Sequence, residues 1–477
     1  MIGCWSVTPG EIENLLARLE RLEADLVALR REMAVKDGVI IDQLDRIARL
    51  EVALEEARRA GKRQAAPFAK GDPEANPKRS GRKRGDGHGR HGHRMAPIGP
   101  PDRELDAPLP GCCPDCGAVV VAERVEAQWQ VDLPAAPAST VTKFNVAVGR
   151  CGGCGRRVQG RHAEQTSQAL GAAGSSVGPG AKALAAWLHY GLGLSFAKTA
   201  AVLARFGIDL TAGAIAQAAA ASASKELVPV HAELVQTANR SATLTMDETG
   251  WRVGGRGAWL WVATNAGLTL YWVTPGRSFA DATERIAADY PGIIVRDGWI
   301  VYDRYDQAAH QTCLAHIARR ARDLEADLDG TDRRIPRAVN GLIGDALAAR
   351  NLDGAARAAA AVDLAARLER LVARPTSHDA NRRLLAHLAR QAPAMFTFLT
   401  ARPDLALDAT NWRAETGIRP AVVNRKTWGG NRTWNGARTQ GVITSVLRTA
   451  AQHGHDAITY LAERARAPDP GLTILLG

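Results

Sequence analysis

The 477-residue sequence predicts a multidomain α/β protein, and three observations carry that expectation. A heptad repeat runs through the N-terminal stretch 8–60. Two Cys-X-X-Cys pairs, Cys113/Cys116 and Cys151/Cys154, follow a basic, glycine-rich segment. Beyond Arg240 the pattern becomes strand, strand, strand, helix, strand, with one acid on the first strand and another just after the fourth. A chain of this length exceeds what one hydrophobic core organises and should divide into about three domains.

The stretch around which the rest is arranged is Ser241–Val253, SATLTMDETGWRV. Ala242–Met246 alternates apolar residues with Thr, as a half-buried strand does, and Ala258–Thr264 and Leu268–Thr274 read as two further strands. Gly254, Gly255 and Gly257 mark the first turn, and Asn265-Ala266-Gly267 the second. Phe279, Ala282, Ile286 and Tyr290 then recur at a helical period before Gly292-Ile293-Ile294-Val295 forms a fourth strand, ending in Arg296-Asp297-Gly298. Asp247 and Asp297 can meet only if strand four returns parallel to strand one, which a right-handed crossover through the helix permits. Two carboxylates at close range repel unless a divalent cation lies between them, and hard oxygen donors with room for water suit Mg²⁺ or Mn²⁺. Two-metal phosphoryl transfer requires that geometry.

Four runs then agree in order and spacing: DETGWRV at Asp247, DGWIVYD from Asp297 to Asp303, CLAH from Cys313 to His316 followed by Arg319-Arg320, and NWRAETGIRPAVVNRK from Asn411 to Lys426. Together they resemble the insertion-sequence sixty-six family of bacterial DDE transposases. The resemblance extends over nearly the whole chain, since a heptad helix, a basic glycine-rich segment and a four-cysteine module also precede the core in that family. It implies a ribonuclease-H-like core formed by 240–312 and 405–465, with Asp247, Asp297 and Glu415 as the metal-binding triad. The implied reaction is metal-dependent cleavage of a DNA strand at the element's end, then attack of the new 3′-hydroxyl on target DNA without a covalent protein intermediate. Helper proteins encoded by the same element are further partners it would allow. Two departures are local: Gly250 stands where the family usually has Pro, and TWGGNRTWNG, Thr427 to Gly436, replaces a run that contains phenylalanine.

From Asp297 to Glu415 is 415 − 297 = 118 positions, filled by Ala-, Leu- and Arg-rich helical sequence, and a helical insertion at 313–404 explains the length. Glu415 opens a helix after Asp408 and Asn411. Arg419, four residues on, shares its face and could pair with the acid or touch the scissile phosphate. His316 reads either as orienting a metal-side group or as a structural histidine paired with Cys313.

Lys+Arg 61 against Asp+Glu 50 gives a net charge of +11, which favours a polyanionic partner, here DNA. Candidate DNA contacts are Arg82, Lys83 and Arg84, with Arg319, Arg320, Arg419, Arg425 and Lys426 near the acids. No apolar run reaches membrane length and Met1–Pro9 lacks the apolar region of a signal peptide, so a cytoplasmic, nucleoid-associated protein is expected. Seven cysteines, four of them in two Cys-X-X-Cys pairs, point to metal rather than disulfides in such a compartment.

At the N-terminus, Thr8-Pro9-Gly10-Glu11 has capping-box spacing with Pro at the first helical position. Leu19, Leu26, Met33, Ile40, Ile47 and Leu54 repeat every seven residues, and Leu15, Leu22, Leu29 and Leu50 fill a second seam that Lys36 and Gln43 interrupt. Such a run over 8–60 predicts a coiled coil and a homo-oligomer; the plainer alternative is an amphipathic helix packed on its own domain. Residues 61–105 read as a basic disordered linker that can track phosphates, whose His88, His91 and His93 lack a rigid cage for metal.

Residues 106–165 read as a structural zinc ribbon: Cys113, Cys116, Cys151 and Cys154 complete a tetrahedral Zn²⁺ site, with a hairpin of Gln128–Val131 and Thr140–Val148 between the pairs. Cys112 is an alternative to Cys113, and the ribbon could hold DNA or orient the coiled coil. Residues 175–235 are helical, over Ala183–Tyr190, Phe196–Arg205 and a third helix capped by Thr211. The outline is that of a helix-turn-helix, but only Gln217 on the third helix is available for base edges, so DNA reading and plain packing stand level. Two rival functions remain open. A non-catalytic DNA-binding regulator derived from a transposase would keep the zipper and ribbon yet could lose the acids. A ribonuclease-H-like nuclease would keep the acids but has no need of the N-terminal modules.

Overall fold

The computed structural model describes residues 9–10, 13–14, 16–29, 32–33, 97–130, 139–166 and 176–466. The heptad positions Leu15, Ile40, Ile47, Leu50 and Leu54, and the linker residues Arg82, Lys83, Arg84, His88, His91 and His93, lie outside the described residues. The chain divides into two units, Met1–Val125 and Glu126–Gly477.

In the first unit residues 16–29 are helical, and Leu19, Leu22, Leu26 and Leu29 are all exposed there. The rest of that unit holds a single isolated antiparallel bridge, Cys112 to Val119, among its described residues.

The second unit begins with a three-residue hairpin, β1 (Val148–Arg150) against β2 (Arg157–Gln159), which brackets Cys151 and Cys154. The hairpin expected between the two cysteine pairs is therefore displaced: Gln128–Gln130 and Thr140–Ala147 have no regular structure, and pairing starts only where the Cys-X-X-Cys turn brings the chain back on itself. Helices follow over Pro179–Ala186, Phe196–Ala204, Ala212–Ser222 and Val228–Arg240. Thr211 caps the third of these, its hydroxyl accepting from the Ala214 N–H at 3.1 Å.

The centre is a five-stranded mixed sheet ordered β5-β4-β3-β6-β7: β3 (Thr243–Val253), β4 (Arg256–Thr264), β5 (Thr269–Thr274), β6 (Ile293–Arg296) and β7 (Ala309–Thr312). β3, β4 and β5 form an antiparallel meander, and β6 pairs parallel to β3, with Thr245 opposite Val295. That is the return the two acids require. β7, parallel to β6, was not legible, because AHQT is polar and carries no apolar alternation. The crossover helix is one turn only, Phe279–Ala282, rather than a helix reaching Tyr290; Ile286 and Tyr290 are nevertheless buried, by turns instead of helical faces.

Strand alternation assigns the two faces of the sheet. Leu244, Met246, Trp261, Ala263, Leu270 and Trp272 turn towards one core, shared with Ile443 and Val446 of the helix Trp434–Gln452. Trp251, Val253, Leu260, Val262 and Tyr271 turn to the other, under Ala414, Ile418 and Ala421 of the helix Trp412–Trp428. Each buried Leu, Ile, Val or Met among these contributes on the order of 1.5–3 kcal/mol of transfer free energy, so the docking of both helices is fixed by packing. Tyr271 also donates its hydroxyl to the Gly417 carbonyl at 2.7 Å, where the helix approaches the sheet closely. A third core belongs to the helical segment after β7, with helices over Leu314–Asp327, Arg334–Ala349, Gly354–Val372 and Asp379–Gln391. No helix among the described residues is long and apolar enough to cross a membrane.

Candidate active site

Asp247 lies mid-strand in β3, not at its end, because the strand runs on through Val253. Asp297 directly follows Arg296, the last residue of the neighbouring parallel strand β6, and Asp247 lies two residues beyond Thr245 in β3, so period two sends the Asp247 side chain to the face shared with Thr245. That is the face covered by the helix Trp412–Trp428, which carries Glu415 in its first turn. Helix start and strand ends are tied together by the Leu314 N–H donating to Ala409 O at 3.0 Å and the Cys313 N–H donating to Arg296 O at 2.8 Å.

Asp247 feels the other two acids. Burial, then the neighbouring Glu248 carboxylate, pushes the Asp247 carboxyl up to about 7, with Asp297 and Glu415 adding to the effect against one backbone N–H from Glu248. That N–H reaches Asp247 Oδ1 at 2.9 Å, and the Trp299 N–H reaches Asp297 Oδ1 at 2.8 Å. Neither aspartate forms an ion pair among the described residues.

Glu248 points the opposite way. Its side chain has no solvent exposure and is held by Arg277, whose Nε donates at 2.7 Å, and by the Tyr302 hydroxyl. Arg277 in turn lies over Trp299 at 3.9 Å and Trp259 at 4.6 Å from the ring centroids. Burial raises the Glu248 carboxyl and the Tyr302 and Arg277 contacts oppose it. Asp408 is likewise occupied, accepting from Arg413 Nε at 2.8 Å with Arg350 at 3.6 Å. These two acids sit in structural pairs, whereas Glu415 is half-exposed and faces His316, Nε2 to Oε1 3.6 Å.

Of the two roles open to Arg419, pairing with Glu415 is not seen among the described residues: Arg419 is exposed and Glu415 turns to His316 instead. His316 and Cys313 start the helix Leu314–Asp327 beside Glu415, and the three ligand atoms lie within 4.8 Å of one another. Arg319 and Arg320 are exposed on that helix. Arg425 is half-buried, with Nη1 3.4 Å from the Thr249 hydroxyl, two residues along β3 from Asp247, and Lys426 beside it is exposed. Arg390, which sequence reasoning missed, donates from Nη2 to Gly298 O at 2.8 Å next to Asp297. No sequence signal marks it, since it sits on the Asp379–Gln391 helix, far along the chain.

The TWGGNRTWNG run clasps the far end of β3. Asn431 bridges to Val253 and accepts from Trp251 Nε1 at 2.7 Å, and a Cβ at Gly430 (φ 110°) would come 2.4 Å from Arg252 O.

The two Cys-X-X-Cys turns are built alike. Cys113 N–H donates to Ala118 O and Gly117 N–H to Cys113 O; Cys151 N–H donates to Arg156 O and Gly155 N–H to Cys151 O. Gly117 (φ 75°) and Gly155 (φ 69°) occupy the left-handed position in both. Backbone N–H groups within each turn pull the Cys113 and Cys151 thiols below their usual value. The matching roles identify Cys113, and not Cys112, as the counterpart of Cys151.

A family model described as the transposase IS66 family matches residues 174–439. No curated protein matches the chain.

Proposed function

The chain belongs to the IS66 family of transposases, and from that premise we propose that it cleaves DNA at the ends of an insertion sequence and joins them to target DNA, using Asp247, Asp297 and Glu415 as a DDE triad. The observation that supports this reading is the parallel β3/β6 pairing, which returns the chain to Asp297 in the strand next to the one that carries Asp247. The strand order, with an antiparallel meander followed by two parallel strands, supports a ribonuclease-H-like core formed by 240–312 and 405–465 around the helical insertion 313–404.

The donor set fits Mg²⁺ or Mn²⁺: three oxygen ligands, an Asp247 carboxyl pushed up by burial and then by the acids around it, and no cationic side chain paired with either aspartate among the described residues. Asp247, Asp297 and Glu415 would hold such ions, whose chemistry there would be to activate the attacking oxygen and stabilise the leaving one. The chain's own part is positional. The Glu248 and Trp299 N–H groups fix the two aspartates, and Asp247 must release its proton to the solvent before it can serve as a ligand. Arg319, Arg320, Arg419, Arg425 and Lys426 hold DNA phosphates around the acids, as Arg82, Lys83 and Arg84 do from the linker.

From the spacing of the two Cys-X-X-Cys pairs we also infer a structural zinc ribbon across 106–165, with Cys113, Cys116, Cys151 and Cys154 as ligands. The exposed leucines of 16–29 support self-association through a coiled coil over 8–60, and the helices at 175–235 are a candidate helix-turn-helix.

Gel-shift binding and end cleavage, measured in parallel on Asp247→Asn, Asp297→Asn and Glu415→Gln, test the assignment. Each amide keeps volume but loses the charge that holds the ions, so cleavage should fall by about three orders of magnitude or more while DNA binding holds or rises. Asp408→Asn should still cut. Normal cutting by all three triad variants would refute the mechanism; normal cutting by Glu415→Gln with loss in Asp408→Asn would move the third acid.

A further inference from the structure

The Cys313, His316 and Glu415 cluster carries chemistry that the hard-ion mechanism does not use. A thiol, an imidazole and a carboxylate have their ligand atoms within 4.8 Å of one another. Magnesium has little use for sulfur, whereas thiolate with imidazole is the donor pair that selects zinc-class ions. Around a tetrahedral Zn²⁺, with bonds of about 2.0–2.3 Å, ligands stand roughly 3.3–3.8 Å apart; His316 Nε2 and Glu415 Oε1 already stand at 3.6 Å, and no pair in the cluster needs to close by more than about 1.5 Å. Two of the three can move: His316 and Glu415 keep 39% and 43% side-chain exposure, while Cys313 is fixed at 1%. His316 also has a buried Nδ1 with no hydrogen-bond partner, so no second contact locks the ring.

We propose that Cys313, His316 and Glu415 form a site for a zinc-class divalent ion, completed by water, and that filling it draws Glu415 out of the hard-ion site and holds the enzyme inactive. The inhibitory half rests on Glu415 being the third catalytic acid; the binding half does not. Binding displaces the Cys313 thiol proton to solvent, and no redox change is involved. Because Zn²⁺ outcompetes Mg²⁺ at any site containing nitrogen or sulfur, a small zinc excess suffices against abundant magnesium. The switch thus senses metal identity.

The test uses full-length protein given one equivalent of Zn²⁺ per chain and then titrated with Co²⁺. Thiolate ligation produces a near-ultraviolet charge-transfer band, and the Cys113, Cys116, Cys151 and Cys154 contribution is common to every variant compared. The wild type should show a band that Cys313→Ser lacks and that His316→Ala weakens by more than about tenfold in cobalt affinity. Asp247→Asn should keep it. Identical titrations in wild type and both cluster variants would overturn the site. Should Cys313→Ser misfold, the half-exposed His316→Ala decides alone. In Mg²⁺-dependent cleavage, the zinc concentration giving half inhibition should rise more than about tenfold in His316→Ala relative to wild type. An unchanged value would overturn the inhibition while leaving the cobalt site standing. If Glu415→Gln cuts normally, the triad assignment fails, but the cobalt band still reports on the cluster.

Discussion

The cysteine turns and the proposed acid site are both built from side chains able to bind metal, by opposite means. Each cysteine turn is complete within a few residues, and its own amides aim at its own sulfur. The acid site spans 415 − 247 = 168 positions and exists only because a sheet and two helices have already packed. Around the first cysteine turn there is little to pack, since Val119, Val121 and Val125 are 79% or more exposed. Around Asp247 the neighbours are Met246, Trp251 and Leu260, all buried. Local donors without a core need the ion to fold; distant donors on a core need the fold to bind the ion.

The sharpest way to break this contrast is to remove zinc. Purified protein should carry tightly bound Zn²⁺, and Cys151→Ser should carry about one equivalent per chain less than wild type. In that variant limited proteolysis should open 97–166 at once, while the unfolding midpoint of the sheet stays within a degree or two of wild type. Zinc-free protein with unchanged protection at 97–166 would mean that the turns hold without an ion.

The same contrast explains what was legible in the sequence. The Cys-X-X-Cys pairs, the Thr211 cap and the alternation of Ala242–Met246 are local, and each is found where spacing put it. The parallel return of β6 was deducible because only that return lets Asp247 meet Asp297. What escaped was set by tertiary packing. β7 is polar and takes its strand conformation from pairing with β6, and the crossover helix shortens to one turn because turns bury Ile286 and Tyr290 as well as a helix would. Arg390 and the Arg277–Glu248–Tyr302 contact join residues that no sequence window contains together. The difference in direction between Asp247 and Glu248, by contrast, follows from period two alone: adjacent residues face opposite sides of one strand.

That difference yields a second test. Glu248→Gln removes the carboxylate that Arg277 and Tyr302 share, leaving a guanidinium between two indoles without its counter-charge. Loss of one partner of such a pair costs about 1–3 kcal/mol, read as a lower denaturant midpoint with an unchanged slope. If Glu248→Gln proved as stable as wild type yet catalytically dead, Glu248 and not Asp247 would be the working acid.

The smallest expected effect is also the most specific to the acid site. The Asp247 carboxyl sits near 7 in the fold, pushed up by burial and then by Glu248, Asp297 and Glu415, against about 3.9 in an unfolded chain. Between those values the unfolded state binds fewer protons than the native one, so stability falls as pH rises through this window and the loss is complete above about 7. Asp247→Asn has no proton to lose. Without added divalent ions, its melting midpoint should match wild type near pH 4 and exceed it by a few degrees near pH 8. Added Mg²⁺ should close that gap from the wild-type side, because only the intact acid set gains a ligand. A gap of equal size at both pH values would show that the amide acts through packing, and that the charges gathered at this end of the sheet do not oppose folding.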